Sequence, residues 1–229
     1  MSKFVIGDIH GCANTLKNLI LFVLPKKKDN IFYFLGDYIN KGPDSKGVLD
    51  FLIELKNNYT CHFLRGNHEQ DLLAIYEGLY EQGNFSKPIY NTLQSFGVSE
   101  VKQIPDIYID FLRQTVFSIS VNNYLLVHAG FDFAETASKN IDFMLYTKKF
   151  TLNSNFDLSQ KVIIGHSPCS IIALKNDLKN NSSLIKLDTG CVYRLNSELG
   201  LLSALDIDDC KLYSQVNIEE EYTIELKKL

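Results

Sequence analysis

The run Phe4-Val5-Ile6-Gly7-Asp8-Ile9-His10-Gly11 opens the chain with apolar residues and then ends in a polar turn. Alternate side chains of an extended segment point to the same side, so Asp8 and His10 can reach one ion together. The flanking Gly7 and Gly11 allow the backbone to turn at this point. By itself the motif also fits a capped helix start, so its meaning depends on what recurs along the chain.

Similar polar motifs recur along the chain, each directly after an apolar run. They are Gly36-Asp37, Gly66-Asn67-His68-Glu69, His128-Ala129-Gly130 and Gly165-His166. Histidine is the commonest side-chain metal ligand, and aspartate is a hard oxygen partner for it. Strand ends are where an α/β fold exposes such groups to a crevice. The placement therefore predicts a metal site at the strand ends.

Each motif alone has a second interpretation. Gly-Asp is a common turn, and Asn67 could cap a helix that carries Glu69 in its first turn. His128 and His166 could each be buried histidines with satisfied hydrogen bonds. His62 stands in no such motif, and for it we keep this structural interpretation.

The order of apolar runs and helical patterns predicts an α/β fold that begins with βαβ units. Helical patterns cover residues 14–24, 48–55 and 68–80, between the first strands. From about residue 115 strands dominate, which indicates a second sheet packed on the first. The predicted strands occupy 4–6, 31–35, 61–64, 115–119, 124–127, 162–164, 184–187 and 201–207.

Length and punctuation predict one domain over residues 1–229. Residues 81–114 are interpreted as a helical insert because Gly and Pro residues divide that stretch. What this insert does is open at this point: it could be a lid, a substrate platform or a partner surface.

The bulk composition excludes several classes of function. A net charge of -4 and a pI near 5.7 give no basic field, so a nucleic-acid partner is not expected. No eighteen-residue apolar span or secretion signal is recognised, so we expect no membrane association. Five cysteines without a CxxC pair favour a reducing compartment, and we expect a cytoplasmic protein. The sequence favours no particular oligomeric state.

The motif order Asp-x-His, Gly-Asp, Gly-Asn-His-Glu, His-Ala-Gly, Gly-His resembles that of the phosphoprotein phosphatase branch of the calcineurin-like metallophosphoesterases. The resemblance runs from residue 4 to about residue 208. The segments 34–38 and 64–69 are close to the corresponding sequence motifs of the family. A further segment is typical of its short bacterial and phage members, namely Leu187-Asp188-Thr189-Gly190-Cys191-Val192-Tyr193. The resemblance implies an α/β fold with two mixed β-sheets in a sandwich flanked by helices.

The resemblance also implies two divalent metal ions. One would be held by Asp8, His10 and Asp37, and the other by Asp37, Asn67, His128 and His166. A shell of nitrogen and oxygen ligands suits Mn²⁺, which we expect, with iron or zinc as alternatives. Such a pair lowers the pKa of water from about 15.7 to roughly 7, so that hydroxide can attack phosphorus directly. His68 matches the general acid that protonates the leaving group.

The chain departs from the family beside this acid. The family normally has Gly-Asp-x-Val-Asp-Arg-Gly where this chain has Gly36-Asp37-Tyr38-Ile39-Asn40-Lys41-Gly42. Asn40 thus replaces the aspartate that orients the catalytic histidine, and we expect it to accept a hydrogen bond from His68. A neutral bond contributes about 1 kcal/mol, against roughly 1.5–3 kcal/mol for a charged one. His68 should be less basic unless Asp71 or Glu69 compensates.

The phosphate-binding positions depart as well. Lys41 replaces an arginine that binds phosphate in the family, and Lys148 occupies the position of a second phosphate-binding arginine. A lysine keeps the charge but lacks the bidentate geometry of arginine. Together with Asn67, these two lysines are the expected phosphate-binding residues.

Three functions are consistent with these motifs. The leading hypothesis is a metal-dependent phosphomonoesterase of the serine/threonine protein phosphatase type, acting on a phosphorylated protein or a small phosphoester. The alternative is a symmetrical dinucleoside tetraphosphate hydrolase, which Asn40 favours, whereas Tyr38 and the string at 64–69 favour the protein phosphatase. A non-catalytic scaffold on the same fold is the third hypothesis.

Overall fold

The structure, a computed structural model, describes residues 1–79, 88–132, 140–152 and 160–220. Its strands are β1 (Lys3–Ile6), β2 (Ile31–Phe34), β3 (Thr60–Phe63), β4 (Ser118–Val121), β5 (Tyr124–Val127), β6 (Lys161–Ile164), β7 (Leu184–Lys186), β8 (Leu201–Asp206) and β9 (Lys211–Val216). They form two sheets, ordered β3-β2-β1-β8-β9 and β4-β5-β6-β7.

Both sheets are mixed. In the first, β1, β2 and β3 are parallel, while β8 and β9 pair antiparallel. In the second, β5, β6 and β7 are parallel and β4 is antiparallel to β5. Two sets of three parallel strands result, and the motifs of the sequence follow directly after them.

Alternating side chains explain why the sheets stack. Along β1, Phe4 and Ile6 point to one core, and Val5 points to another. Val5 shares its core with Leu126 and Ile163 of the second sheet, so the space between the sheets is filled by apolar side chains. Both faces of β1 are therefore buried, as its continuous apolar sequence predicts.

Helices flank the two sheets. They are α1 (Ala13–Asn18), which continues into a wider π turn (Leu19–Val23), α2 (Ser45–Asn58), α3 (Asn67–Tyr76), α4 (Pro88–Phe96), α5 (Asp106–Arg113), α6 (Ile141–Tyr146) and α7 (Ile171–Lys179), with a 3₁₀ turn at Val101–Gln103. Helices α1 to α5 contribute to the core on the outer face of the first sheet. Met144 of α6 packs on the outer face of the second sheet.

The expected α/β sandwich of two mixed sheets flanked by helices is confirmed. Helices α4 and α5 lie in the stretch interpreted as an insert, of which residues 81–87 lie outside the described residues. Strand β9 and helix α7 were not expected. Across the parts of the chain that the structure describes, no helix combines the length and the apolar character needed to cross a membrane.

Candidate functional site

Asp37, in the turn after β2, lies at the centre of a cluster of histidines. Its Oδ2 atom is 3.3 Å from Nε2 of His10 and 3.9 Å from Nε2 of His68. Its Oδ1 atom is 3.4 Å from Nε2 of His128. Among the residues that the structure describes, two groups of side chains could hold an ion, His10–Asp37–His68 and Asp37–His128–His166, and Asp37 belongs to both.

Asn67 faces the second of these groups. Its Oδ1 atom lies 3.2 Å from Nε2 of His128 and 3.0 Å from Nδ1 of His166. Helix α3 begins at Asn67, and Gly66 occupies the N-cap position. The interpretation of Asn67 as a helix cap is therefore wrong, because its side chain points into the cluster.

Asp8 lies beside the cluster and is almost fully buried. Its Oδ2 atom accepts a hydrogen bond of 2.9 Å from the backbone N–H of His166. Its Oδ1 atom is buried and has no hydrogen-bond partner among the described residues. A Cβ atom at Gly165 would fall 2.1 Å from this oxygen, so the motif needs glycine there. A buried carboxylate oxygen without a partner is what a cation would satisfy.

The backbone is strained at the residues of the cluster. His10, Asp37, Asn40, Lys41 and His166 all have positive φ, at 48°, 53°, 68°, 62° and 61°. Residues other than glycine rarely adopt this conformation, and it persists where the surrounding structure imposes it. The strain therefore collects at the same strand-end turns that carry the motifs.

Glu69 holds the central turn in place. Its fully buried carboxylate accepts bonds from the backbone N–H groups of Asp37 (2.8 Å), Tyr38 (2.8 Å), Ile39 (3.3 Å) and Gly66 (3.0 Å). Burial raises the pKa of Glu69 to about 8, and these N–H donors act in the opposite direction. Its place in the first turn of α3 is the sequence signal that could have revealed this role.

The protonation of the cluster suits a divalent cation. His10 and His128 have Nδ1 atoms 3.1 Å and 2.9 Å from the carbonyl oxygens of Ile39 and Leu35, which orients each Nε2 toward the cluster, as in a metal ligand. Burial lowers the pKa of His128 to about 4, so its ring is neutral at pH 7.

The other titratable groups of the cluster also have protonation states that suit a divalent cation. Burial lowers the pKa of His166 to about 3, and that of His10 falls well below its usual range. Burial raises the pKa of Asp37 to about 7. Neutral imidazoles around carboxylates that resist ionisation form a donor set that a bound cation would complete.

The two lysines differ in position. Lys41 lies inside the cluster, where its Nζ atom is 2.7 Å from Nε2 of His10 and 5.9 Å from the ring centre of Tyr193. Lys148 is exposed, and its charge contributes to the lowered pKa of His166. Both lysines thus act electrostatically on the cluster, one from within and one from its solvent side.

Asn40 contacts His68, but in the opposite sense to the sequence expectation. The Nδ2 atom of Asn40 lies 2.8 Å from Nδ1 of His68. The Oδ1 atom of Asn40 accepts a bond of 2.6 Å from the hydroxyl of Thr92. An amide NH₂ group can only donate, so the expectation that Asn40 accepts from His68 is wrong. Thr92, on α4, was not identified from the sequence.

The two residues considered as substitutes for the missing aspartate are engaged elsewhere. Asp71 accepts a bond of 2.6 Å from the hydroxyl of Tyr146, and Glu69 is bonded to the backbone. Burial, together with the positive charge of Lys41, lowers the pKa of His68 well below its usual range. His68 is therefore a neutral group in this structure.

Asp188 was not chosen as a site residue from the sequence. It follows β7, is 2 % exposed, and accepts a bond of 2.8 Å from the N–H of Gly190. Its charge raises the pKa of Asp8, and burial raises its own pKa to about 6. The string at 187–193, which carried part of the resemblance, contained this signal. His62, by contrast, stacks on Tyr33 at 4.8 Å, outside the two ligand groups.

Comparison with known proteins places the chain in a family of phosphoesterases. A family model described as calcineurin-like phosphoesterase matches residues 1–198, and the chain belongs to that family. The chain is 31% identical over 160 residues to a symmetrical bis(5'-nucleosyl)-tetraphosphatase of Wigglesworthia glossinidia brevipalpis, covering 66% of this chain and 54% of the relative. A relative of the same name from Buchnera aphidicola is 30% identical over 175 residues, with 71% and 59% covered.

Solved structures show the same fold. A protein provisionally assigned as a diadenosine tetraphosphatase has a TM-score of 0.63 at 22% identity, covering 96% of this chain and 95% of that one. A serine/threonine phosphatase of Saccharomyces cerevisiae has a TM-score of 0.59 at 17% identity, covering 97% and 81%. The chain spans about half of the length of the curated relatives it matches. At these identities the solved structures show the fold alone.

Proposed function

We propose that this chain hydrolyses dinucleoside tetraphosphates symmetrically, adding one water across the central phosphoanhydride to release two nucleoside diphosphates. The observation that carries the proposal is Asp37 shared between two groups of potential metal ligands. The names of the curated relatives supply the substrate class. A cytoplasmic location and a small phosphoester substrate belong to the same proposal.

The metal centre is part of the proposal. Asp8, His10 and Asp37 would hold one divalent ion, and the second would lie among Asp37, Asn67, His128 and His166. Bound ions of this kind activate water and neutralise phosphoryl oxygens. We expect Mn²⁺, with iron or zinc as alternatives to be compared.

The surroundings of His68 favour an anhydride over a serine phosphate. The group leaving an anhydride is itself a phosphate, whose second pKa is about 6. An alkoxide is comparable in basicity to hydroxide, whose conjugate acid has a pKa of about 15.7, and therefore needs a full proton from its acid. His68 is supported by the neutral amide of Asn40 and not by a carboxylate. Such an acid suits the weaker demand of the anhydride.

The other side chains have positioning roles in this proposal. Lys41 supplies a positive charge inside the cluster, where a phosphate group would lie. Lys148 would attract the polyphosphate from the solvent side, and Asn67 would contact it beside His128 and His166. His68 would donate a hydrogen bond from its Nε2–H group to the oxygen that leaves.

The test is hydrolysis of diadenosine tetraphosphate by metal-stripped protein to which Mn²⁺, Fe²⁺ or Zn²⁺ is returned. Chromatography should detect ADP as the sole nucleotide product, and Asp37→Asn should abolish its release. His62→Ala, which removes a histidine outside the ligand groups, is the matched control and should retain activity. Formation of AMP and ATP would contradict symmetrical cleavage. Inactivity on this substrate, on a phosphoserine peptide and on p-nitrophenyl phosphate would favour the non-catalytic scaffold.

A further inference from the structure

A buried threonine lies behind the Asn40–His68 pair. Thr92, on α4, is fully buried. Its hydroxyl oxygen lies 2.6 Å from Oδ1 of Asn40, 3.0 Å from the backbone N of Asn40 and 2.9 Å from the hydroxyl of Ser45. Three short contacts converge on one hydroxyl group, and two of them belong to Asn40.

The direction of each bond follows from which atoms carry hydrogen. A hydroxyl has one hydrogen to donate and two lone pairs. The backbone N–H of Asn40 donates to both Thr92 and Ser45, at 3.0 Å each. The carbonyl Oδ1 of Asn40 can only accept, so Thr92 donates to Oδ1. The hydroxyl of Ser45 can then donate to Thr92. Each polar group of this buried chain is satisfied in that arrangement.

The orientation of the Asn40 amide sets the tautomer of His68. With Oδ1 bonded to Thr92, the NH₂ group of Asn40 faces Nδ1 of His68 at 2.8 Å. Nδ1 must then be the bare nitrogen of the neutral ring, and the proton lies on Nε2. Nε2 is the nitrogen that faces Asp37, at 3.9 Å from its Oδ2 atom. The proton is thereby held on the side of the ligand cluster.

We propose that Thr92 is a positioning residue that fixes the tautomer of His68 through Asn40, so that Nε2 carries the proton. Helix α4 thus supports the site from behind. It also holds the next residue of the turn, because the side chain of Asn91 donates to the carbonyl of Lys41. The catalytic consequence rests on the proposed function, whereas the tautomer itself does not.

The tautomer can be read directly in metal-free protein. Two-bond ¹H–¹⁵N correlation spectra distinguish a protonated ring nitrogen from a bare one, and the loss of signal in His68→Gln assigns the ring. We expect Nε2 of His68 to be protonated in the wild type, mixed tautomers in Thr92→Val, and restoration in Thr92→Ser. A wild-type ring protonated on Nδ1 would overturn the proposal, and this result needs no variant of Thr92 to fold.

Kinetics supply the second readout. Thr92→Val should lower kcat on a phosphoserine peptide, whose leaving alkoxide is strongly basic, by about 10- to 100-fold, the usual range when a supporting hydrogen bond is lost. Hydrolysis of p-nitrophenyl phosphate, whose leaving group needs less protonation, should fall less, and Thr92→Ser should recover both. Thr15→Val is the matched control, because it removes another buried hydroxyl, bonded to Glu219.

The outcomes separate this proposal from the proposed function. An unchanged tautomer and unchanged leaving-group dependence in folded Thr92→Val would contradict the role of Thr92. A chain inactive on dinucleotides but with the expected spectra would contradict the function and leave the tautomer assignment supported.

Discussion

The two ligand groups that share Asp37 are built differently. In His10–Asp37–His68, buried side chains such as Glu69 and Thr92 hold the turn that carries Asp37 and Asn40. In Asp37–His128–His166, His128 follows β5 directly and its ring is fixed by one backbone carbonyl. Two residues that differ from the family pattern, Asn40 and Lys41, change the surroundings of His68. Both lie beside the group His10–Asp37–His68. We infer that both groups bind metal. The group His10–Asp37–His68 has a second role, which is to position the proton of His68.

The shared residue gives the largest effect. Asp37→Asn should weaken metal binding in both groups, because one neutral amide replaces the carboxylate oxygens that face them. We expect activity to fall by more than about 10⁴-fold, beyond the upper range for loss of a general acid. Metal analysis after dialysis should show loss from both groups, and retention of two ions would break the comparison.

The next change separates metal binding from proton transfer. His68→Ala should lower kcat by about 10²- to 10⁴-fold, since a general acid is lost. The bound metal should stay near the wild-type level, whereas His128→Ala should lose metal from the second group. The comparison fails if the two variants lose metal equally.

A smaller effect should appear in the pH dependence of metal binding. Burial raises the pKa of Asp37 to about 7 in the absence of metal, so its carboxylate must lose a proton before binding. His128 and His166, with pKa values of about 4 and about 3, are already neutral above pH 5. Affinity for Mn²⁺ should rise about tenfold from pH 6 to pH 8, as proton competition predicts. Calorimetry in two buffers should detect proton release at pH 6, and pH-independent binding without release would contradict this.

The smallest effect concerns Asn40. In Asn40→Asp, one carboxylate oxygen keeps the Thr92 bond and the other can accept from Nδ1 of His68. The gain of a charged over a neutral bond is about 1 kcal/mol, or about fivefold. Turnover of a phosphoserine peptide should rise by this factor, with less change on diadenosine tetraphosphate. A decrease on both would mean that the turn is built around the amide.

The sequence predicts the strand-end ligands because local rules place them. An apolar run followed by glycine and a polar side chain ends at the sheet edge, and parallel strands bring those edges together. The direction of the Asn40–His68 bond could not be predicted, because it depends on Thr92, which is distant in sequence. Strand β9 has a half-buried sequence in which half of the residues are polar, and it forms by pairing with β8. Local patterns thus identify the candidate ligands, whereas long-range contacts set the direction of the hydrogen bond to His68.

The most direct test of the central claim is the ratio of kcat/KM for diadenosine tetraphosphate to that for a phosphoserine peptide, measured with the same Mn²⁺-loaded protein. We expect the dinucleotide to be preferred by at least about 10²-fold. This is the lower end of the rate enhancement that general acid catalysis supplies, and His68, supported only by a neutral amide, should not supply it to a leaving alkoxide. A preference for the peptide would contradict the proposed function and favour the protein phosphatase hypothesis.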